Sequence, residues 1–509
     1  MYIPEITAII GILATSFIFY MYARRINLSE KTTIDGYMVA NSTLKKSQFS
    51  NTFSASNISL CMIVIFYGSN AKSLGLFLFS SCTTYLLGHL AFVWLIRKTN
   101  FDLSECKTLT DLVNLIFPNR AVVLLVSLMS ISSYILLAYV ELYIGSVLFS
   151  IFLPEGIVYQ TISFLAIGIL VLLYVRLGGY KALVVTDRWQ LGLITLSIGS
   201  ILIFGLIVPV SNNSSFTDVI VNMTNYTEST WYGIVFSLWL LMINSIYGFS
   251  QVSSWQRVHA SSDHDMSWKG IVDSSWKVIM LFSMTILGFI LLISKGYEFT
   301  SIIDYLYLVR DTGGIPKYIL FPVMLIGYSS MVFSSADVAI IGVNYSLTDR
   351  SGFYQYFSKL DEKSLRRALS NMTLAILLIL TFFYYLNYSA LGEWLMPIIF
   401  TACSQLGVLA PIPIFTILYL KKYGELPKIE TSKRNILIFF NGIFLSWIVL
   451  FLGTYLSKTT GKQIFSLLPL PVGIIFTASA IIAITRTKNV LLGGRTPPIQ
   501  TKKYGVHYE

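Results

Sequence analysis

Charged side chains interrupt a strongly apolar stretch of this chain. The stretch contains Arg176, Lys181, Asp187 and Arg188 around a Gly178-Gly179-Tyr180 run. Charges at membrane depth are costly, so those that persist usually line a water-filled path or lie at a membrane face. These four side chains therefore indicate a functional polar region, and the surrounding helices must hold it in or beside a bilayer.

The composition is typical of a polytopic helical membrane protein. Hydrophobic residues make up 55% of the 509 residues and charged residues only 12%, and the mean hydropathy is +0.70. Soluble domains have a smaller hydrophobic fraction and about twice this fraction of charged residues. The net charge of +11 comes from basic residues spread over many short loops. That spread is typical of membrane topology and argues against a nucleic-acid partner.

Enzymatic chemistry has little support in the sequence. The four cysteines and four histidines form no metal-ligand motif. No catalytic triad and no glycine-rich phosphate loop is apparent, and no segment indicates an obligate protein partner. The sequence therefore argues against an enzyme and against any metal other than a transported ion.

Thirteen apolar segments are long enough to cross a bilayer, since a helix needs about 20 apolar residues to span the hydrocarbon core. They are residues 4–22, 48–70, 74–96, 121–150, 157–175, 182–210, 231–254, 273–294, 316–347, 369–388, 394–420, 435–456 and 467–485. Lys and Arg collect in alternate loops and in the C-terminal tail, which predicts an external N-terminus and a cytoplasmic C-terminus. The expected location is the plasma membrane, or the inner membrane of a bacterium, with the lipid bilayer as a partner.

Two of these spans contain polar runs. In the second span, residues 54–59 read Ser-Ala-Ser-Asn-Ile-Ser, which suits an unwound helix whose freed carbonyls face a cation. In the ninth span, Ser334 and Ser335 follow Met331 and precede Asp337. Adjacent hydroxyls offer hard oxygen ligands to a small cation. Serine also packs helices closely, so helix packing stays open as an alternative for each run.

The chain resembles the sodium/solute symporter family, which includes the bacterial proline and sugar symporters. The resemblance is carried by Gly178-Gly179-Tyr180, Ala182, Thr186-Asp187 and Gln190, and it extends over nearly the whole chain. It implies an all-α polytopic membrane protein of the leucine-transporter type. In that fold, two inverted five-helix repeats hold the site near the midplane between broken helices.

The thirteen predicted spans fit one extra helix before a ten-helix core and two helices after it. The resemblance thus implies three regions. They are 1–47, an N-terminal extra helix with a cytoplasmic loop; 48–421, the inverted-repeat transport core; and 422–509, two C-terminal helices with a basic cytoplasmic tail.

The resemblance also implies a sodium site between spans two and nine. In the family, the break in span two gives two backbone carbonyls, which Ala55 and Ile58 match here. Span nine gives a serine followed by Ser or Thr, with a carbonyl three residues earlier. Ser334, Ser335 and Met331 match those positions. Sodium is therefore the implied coupling ion.

A second cation position is implied at Asp187. Resembling proteins keep this aspartate near the cytoplasmic end of span six, and some form a second sodium site between it and hydroxyls that follow the serine pair. Here Asp337 stands at that position. Two neighbouring carboxylates repel, so one would be protonated or paired with Arg188 or Lys181. An ion pair that fixes the helix end is the alternative.

Two further stretches match the family's broken helices. Span seven ends with Tyr247-Gly248-Phe249-Ser250-Gln251, where Gly248 would let the helix open and Gln251 would face the substrate. A Gln256-Arg257 pair follows at the inner face. In span eleven, Leu409-Ala410-Pro411-Ile412-Pro413 is similar to the family's proline-marked break.

The candidate solute site comprises Asn57, Glu141, Tyr247 and Gln251. Sugar-transporting members use a Glu-Gln pair after the span-two break and a glutamate in span three, where this chain has Cys61, Met62 and Cys82. A hexose is therefore disfavoured, because a site that lacks these donors and acceptors does not offset the desolvation of a sugar.

Glu141 indicates a different class of solute. It lies mid-span between Tyr139 and Tyr143, and an intramembrane carboxylate flanked by aromatic rings favours an amine or another cationic or zwitterionic compound. Trp239 and Tyr247 would be further walls. The alternative places Glu141 near the outer surface or pairs it with Lys72. An amino acid, a carboxylate or another small organic solute stays open.

The sequence predicts a sodium-coupled secondary symporter that imports a small organic solute by alternating access. Sodium would stabilise the outward-facing state, since a ligand shifts populations by its differential affinity for two states. Two alternatives stay open. One is a proton-coupled transporter on the same fold, with Asp337, Asp187 or Glu141 as the titrating group. The other is a membrane solute sensor that binds without transport.

Overall fold

A computed structural model describes residues 3–29, 34–99, 108–154, 156–210, 230–297, 302–348, 357, 359–423, 427–460 and 464–491. No described residue lies in a β-strand, and one isolated parallel bridge joins Leu44 to Ser261. The end of the predicted basic tail, 492–509, lies outside the described residues. A helical fold is expected because the bilayer core offers no water to unpaired backbone groups.

Runs of Leu, Ile, Val and Phe form long helices. The α-helices are α1 (Ile3–Ser29), α2 (Ile34–Val39), α3 (Lys46–Ser56), α4 (Ser69–Leu74), α5 (Phe79–Thr99), α6 (Leu109–Ile116), α7 (Arg120–Phe149), α8 (Ile157–Ile207), α9 (Thr230–Ser250), α10 (Val252–Ala260), α11 (His264–Ser294), α12 (Ile302–Asp311), α13 (Phe321–Thr348), α14 (Glu362–Gly407), α15 (Pro411–Tyr423), α16 (Lys433–Thr460), α17 (Ile464–Leu467) and α18 (Pro469–Leu491). Short 3₁₀ turns occur at Ala40–Ser42, Gly75–Leu78 and Ser150–Phe152, and wider π-type turns at Cys61–Gly68 and Pro316–Leu320.

These helices provide the membrane crossings that the sequence predicts. Among the described residues, ten helices are long and apolar enough to span a bilayer, and the bent pair Lys46–Ser56 and Cys61–Gly68 makes an eleventh crossing. α8 is 51 residues long and is interrupted at Gly179. At ~1.5 Å per residue it is more than twice as long as the hydrocarbon core is thick, so it holds two predicted spans. The shorter apolar helix Pro469–Thr485 corresponds to the last one.

The long helices are interrupted at four places. The axis bends by 56° between α3 and the turn Cys61–Gly68. Gly179 has φ 55° and ψ −150°, a conformation that a side chain would strain. Gln251 is extended, with φ −74° and ψ 113°, between α9 and α10. Residues 408–410 separate α14 from α15, which begins at Pro411, a residue favoured in the first helical turn.

Small residues bring the central helices α7, α8 and α13 into close contact. A Cβ on Gly327 of α13 would lie 2.2 Å from the Cβ of Ser197 on α8. A Cβ on Gly145 of α7 would lie 2.8 Å from the side chain of Val332 on α13. Such residues let backbones approach closely, which is how helices associate in lipid. α13 is consequently buried along almost its whole length.

The segment Ile34–Lys45, which we call the clasp, contacts the break in α8. Tyr37 Oη donates a hydrogen bond to the Val175 carbonyl at 3.1 Å. A Cβ on Gly179 would lie 2.6 Å from the Tyr37 ring, so only glycine permits this contact. Burial raises the pKa of Tyr37 to about 12, so its hydroxyl remains a donor at neutral pH.

The clasp also contacts α10. Gln256 Nε2 donates to the Met38 carbonyl at 2.6 Å. The Leu44 N–H donates to the Ala260 carbonyl at 2.9 Å, and the Ser262 N–H donates back to the Leu44 carbonyl at 3.0 Å. Since the clasp continues directly into α3, it joins the break in α8 and the end of α10 to the start of the broken helix.

Candidate cation and solute site

The first part of the site is the break that follows α3. The helix ends at Ser56, and the Asn57 side-chain amide donates to the Phe53 carbonyl at 2.6 Å. The Ala55 carbonyl accepts a long bond of 3.3 Å from the Ile58 N–H, compared with about 2.9–3.0 Å in regular structure. The Ala55 carbonyl is thus weakly held by the helix, as a cation ligand would need to be.

Asp187 of α8 joins α3 to α13. It is fully buried. The Thr52 hydroxyl donates to Oδ2 of this carboxylate, and Ser334 Oγ donates to Oδ1 at 3.2 Å. Hydrogen bonds to an ionised acceptor are stronger than neutral ones. The Asp187 carboxylate therefore fixes the broken helix against the serine pair from one side.

Glu141 of α7 lies near the same two segments, at a cavity that it lines together with Ser59 and Ser335. Its carboxyl interacts with the hydroxyls of Ser59, just after the break, and Ser335, on α13. Its Oε2 is buried and has no hydrogen-bond partner among the described residues. In sequence, the predicted ligands Ala55 and Ile58 lie between Thr52, which donates to Asp187, and Ser59, which lines the cavity beside Glu141.

The predicted ligands on α13 lie close to one another. Ser335 Oγ donates to the Met331 carbonyl at 2.7 Å, and Ser334 is adjacent in sequence. Two oxygens at that separation can share one small cation, because hard cations are held by oxygens at about 2.3–2.6 Å. The segment thus offers neutral oxygens beside two carboxylates, a donor set that fits a monovalent alkali ion.

Asp337 forms a second acidic position beside Asp187. Tyr174 Oη donates to Asp337 Oδ2 at 2.7 Å, whereas Oδ1 is buried without a partner among the described residues. The two carboxylates interact electrostatically, and the cation that acts on both is Arg257. The expectation of an Arg188 partner is not met, because Arg188 is exposed.

A central cavity of about 200 Å³ opens beside these groups. Its polar wall comes from the break, α5, α7, α9, α13 and the α9–α10 connection, and includes Ser56, Asn57, Ser59, Ser81, His89, Glu141, Asn244, Gln251 and Ser335. Its apolar wall combines aliphatic side chains with the aromatic rings of Phe66, Tyr67, Tyr85, Tyr134, Trp239, Phe282 and Phe400. A larger cavity of about 390 Å³ lies between the ends of α15, α16 and α18, away from every predicted site residue.

Three buried polar atoms in residues that line the central cavity have no hydrogen-bond partner among the described residues. They are Glu141 Oε2, Trp239 Nε1 and Tyr85 Oη. Leaving a buried polar group unpaired costs about 1–3 kcal/mol, so a bound solute or water would stabilise them. The set contains one anionic acceptor and two neutral donors beside aromatic faces. None of the described residues that line the cavity is a lysine or an arginine.

The structure brings most of the predicted site residues together. Asn57, Glu141, Gln251 and Ser335 line the cavity, and Ser334, the residue before Ser335, donates to Asp187. The side chain of Tyr247 lies outside the described residues. Sequence reasoning gave no role to Thr52, two residues before the polar run 54–59, or to Ser59, the last residue of that run. It also missed His89 and Tyr85, which line the cavity and carry no local signal.

No group of three or more metal-ligating side chains occurs in the part of the chain that the structure describes. Transition metals would call for imidazole or thiolate ligands.

No protein-family model matches the sequence, and no curated protein matches it. Among known structures, the chain is similar to a Na⁺-coupled sialic acid symporter, determined in a substrate-bound outward-open state with a novel Na⁺ site. The TM-score is 0.68 at 13% identity, over 97% of this chain and 99% of that chain. Such a likeness shows the fold. The all-α, leucine-transporter type of fold is thus confirmed, and the chain is a multi-pass membrane protein.

Proposed function

We propose that this chain is a sodium-coupled symporter of the sodium/solute symporter family that imports a small organic solute by alternating access. The observation that carries the proposal is the Asp187 carboxylate, which joins the broken helix to the serine pair of α13 through Thr52 and Ser334, with Glu141 beside Ser59 and Ser335 at the adjoining cavity. A fold shared with a Na⁺-coupled symporter supports it. Residues 48–421 would form the transport core in the plasma membrane, with the N-terminus outside and the C-terminus in the cytoplasm.

The coupling ion binds where the two bridged segments meet. Carbonyls of Ala55, Ile58 and Met331 and hydroxyls of Ser334 and Ser335 are its ligands. One ion held by both segments joins the broken helix to α13, and this favours the state in which they are together. Because a ligand shifts an equilibrium only by its differential affinity, sodium binding favours the solute-receptive state.

The solute binds in the central cavity and carries an amine or another positive charge. Glu141 Oε2 is its counter-charge, and the aromatic walls favour cations through cation–π attraction. The volume of about 200 Å³ is below the usual range of roughly 300–1,000 Å³ for ligand pockets, which suits a small solute. An acidic sugar would meet Glu141, and the described lining of the cavity offers no basic side chain to offset the repulsion, so sialic acid is not carried over to this chain.

A second cation binds at the Asp187–Asp337 pair. Two buried carboxylates in one site repel unless a cation or a proton compensates them. Three buried carboxylates also favour one alternative, a proton-coupled transporter on the same fold. Uptake into proteoliposomes that is driven by a pH gradient in the absence of sodium would select that alternative.

The proposal is tested by a thermal-shift screen of purified protein against amino acids, polyamines, betaines, sugars and carboxylates, with and without sodium. The expected result is stabilisation by a cationic or zwitterionic amine that increases with sodium concentration. Stabilisation that is independent of sodium, followed by uptake that needs no sodium gradient, would refute sodium coupling.

A further inference from the structure

Arg257 of α10 is buried without a full set of partners. It is only 2% exposed. Its Nη1 donates to the Ser253 carbonyl at 3.0 Å, while Nε and Nη2 have no partner among the described residues. The guanidinium carbon lies 5.6 Å from the centre of the Phe53 ring on α3. A guanidinium has five N–H donors and stays charged in proteins. Buried N–H donors without a partner are unfavourable, so an acceptor near Nε and Nη2 would stabilise Arg257.

An acceptor without a partner among the described residues, Asp337 Oδ1, is buried in the carboxylate pair on which Arg257 acts. Both oxygens of Asp187 accept hydroxyl donors, whereas Asp337 Oδ1 has no partner. Arg257 interacts electrostatically with both carboxylates, yet none of the ion pairs within 4.0 Å among the described residues includes it. Among the described residues, Arg257 Nε and Nη2 therefore lack acceptors, and Asp337 Oδ1 lacks a donor, although these groups interact electrostatically.

The element that carries Arg257 is short and begins where the helical conformation is interrupted. α10 has nine residues and follows the extended residue Gln251. It packs against α3 and against α13, the helix that carries Asp337. A small rotation about Gln251 would change the distance between the guanidinium and the carboxylate pair.

We propose that Arg257 is a tethered cation that competes with a sodium ion for the Asp187–Asp337 pair. Both cations need the same oxygen, Asp337 Oδ1. When the guanidinium lies beyond ion-pair distance of the two carboxylates, as in this structure, the pair accepts sodium. When α10 approaches, the guanidinium replaces the ion and the ion leaves. The inference rests on the proposed second cation site and adds a device that links ion release to movement of one helix.

The test is a sodium titration of thermal stability with the purified full-length protein, with potassium replacing sodium at constant ionic strength. Arg257→Gln keeps a donor for the Ser253 carbonyl but removes the charge. It should bind sodium about tenfold more tightly, within the usual range of coupling between sites. Arg257→Lys keeps the charge and should stay near the wild type. Adding Asp337→Asn to Arg257→Gln should abolish the gain.

The outcomes separate this inference from the proposed function. A merely structural role for Arg257 predicts weaker or unchanged sodium binding in Arg257→Gln, and either result overturns the competition. Asp337→Asn alone should weaken sodium binding, and unchanged binding there overturns it as well, even where Arg257→Gln fails to fold. A wild-type protein that does not respond to sodium would overturn the proposed function, and this inference with it.

Discussion

Ser335→Ala removes one of five proposed sodium ligands while leaving both carboxylates in place. The hydroxyl donates to the Met331 carbonyl at 2.7 Å and interacts with Glu141, so it lies where the two bridged segments meet. Losing one oxygen ligand is comparable to losing a hydrogen bond to a charged group, about 1.5 kcal/mol. That corresponds to roughly a tenfold higher sodium requirement, since 1.4 kcal/mol is a factor of ten.

Ser329→Ala is the matched control for this prediction. Ser329 lies on the same helix and makes the same bond to the carbonyl four residues earlier, at 2.8 Å to Leu325. It is buried and does not line the cavity, so its loss should leave the sodium requirement unchanged. The assay is solute uptake into proteoliposomes at increasing sodium concentration, with sodium-dependent thermal stabilisation as the second readout. A Ser335→Ala requirement within twofold of wild type, or an equal change in Ser329→Ala, would refute the assigned ligands.

Three further predictions concern the solute and the fold. Glu141→Gln should weaken binding of a cationic solute about tenfold or more, whereas Glu5→Gln, at another buried glutamate, should not; equal binding in both would exclude Glu141 from the solute site. A methyl on Gly88 would lie 2.1 Å from the Asn244 carbonyl oxygen, so Gly88→Ala should cost about 1–3 kcal/mol and lower the unfolding midpoint, and an unchanged midpoint would contradict the packing of α5 on α9. The Thr108 hydroxyl caps α6, so Thr108→Ala should cost about 1 kcal/mol in the same assay; Thr108→Ser should retain the cap, and an equal loss in both variants would contradict it.

The crossings and most of the breaks could be predicted from the sequence because their signals are local. Long apolar runs specify spans, and the small and hydroxylated run after Phe53 marks the bend. Gly248 is an instructive exception. α9 continues through Gly248 to Ser250 and ends before Gln251. Gly248 instead allows close helix packing, since a Cβ there would lie 3.2 Å from the Phe92 ring.

The partners of the buried carboxylates could not be predicted, because they come from distant parts of the chain. Adjacent helical residues point in different directions, and so Arg188 is exposed while Asp187 is buried. Arg257 acts on Asp187 only because α10 packs against α3 and α13. Likewise, Glu141 lies beside Ser59 and Ser335 only because α7, α13 and the break pack around one cavity. No short sequence pattern indicates that packing.

The clasp has a mechanical consequence. Since Tyr37 binds the Val175 carbonyl and Leu44 exchanges backbone hydrogen bonds with Ala260 and Ser262, the start of α3 cannot tilt alone. Either α8 and α10 are pulled along with it, or these bonds rupture together. The rate at which this end of the protein opens is then set by one cooperative step, in which the clasp leaves α8 and α10 together. Amide hydrogen exchange would show this step as equal protection factors at Leu44 and Ser262.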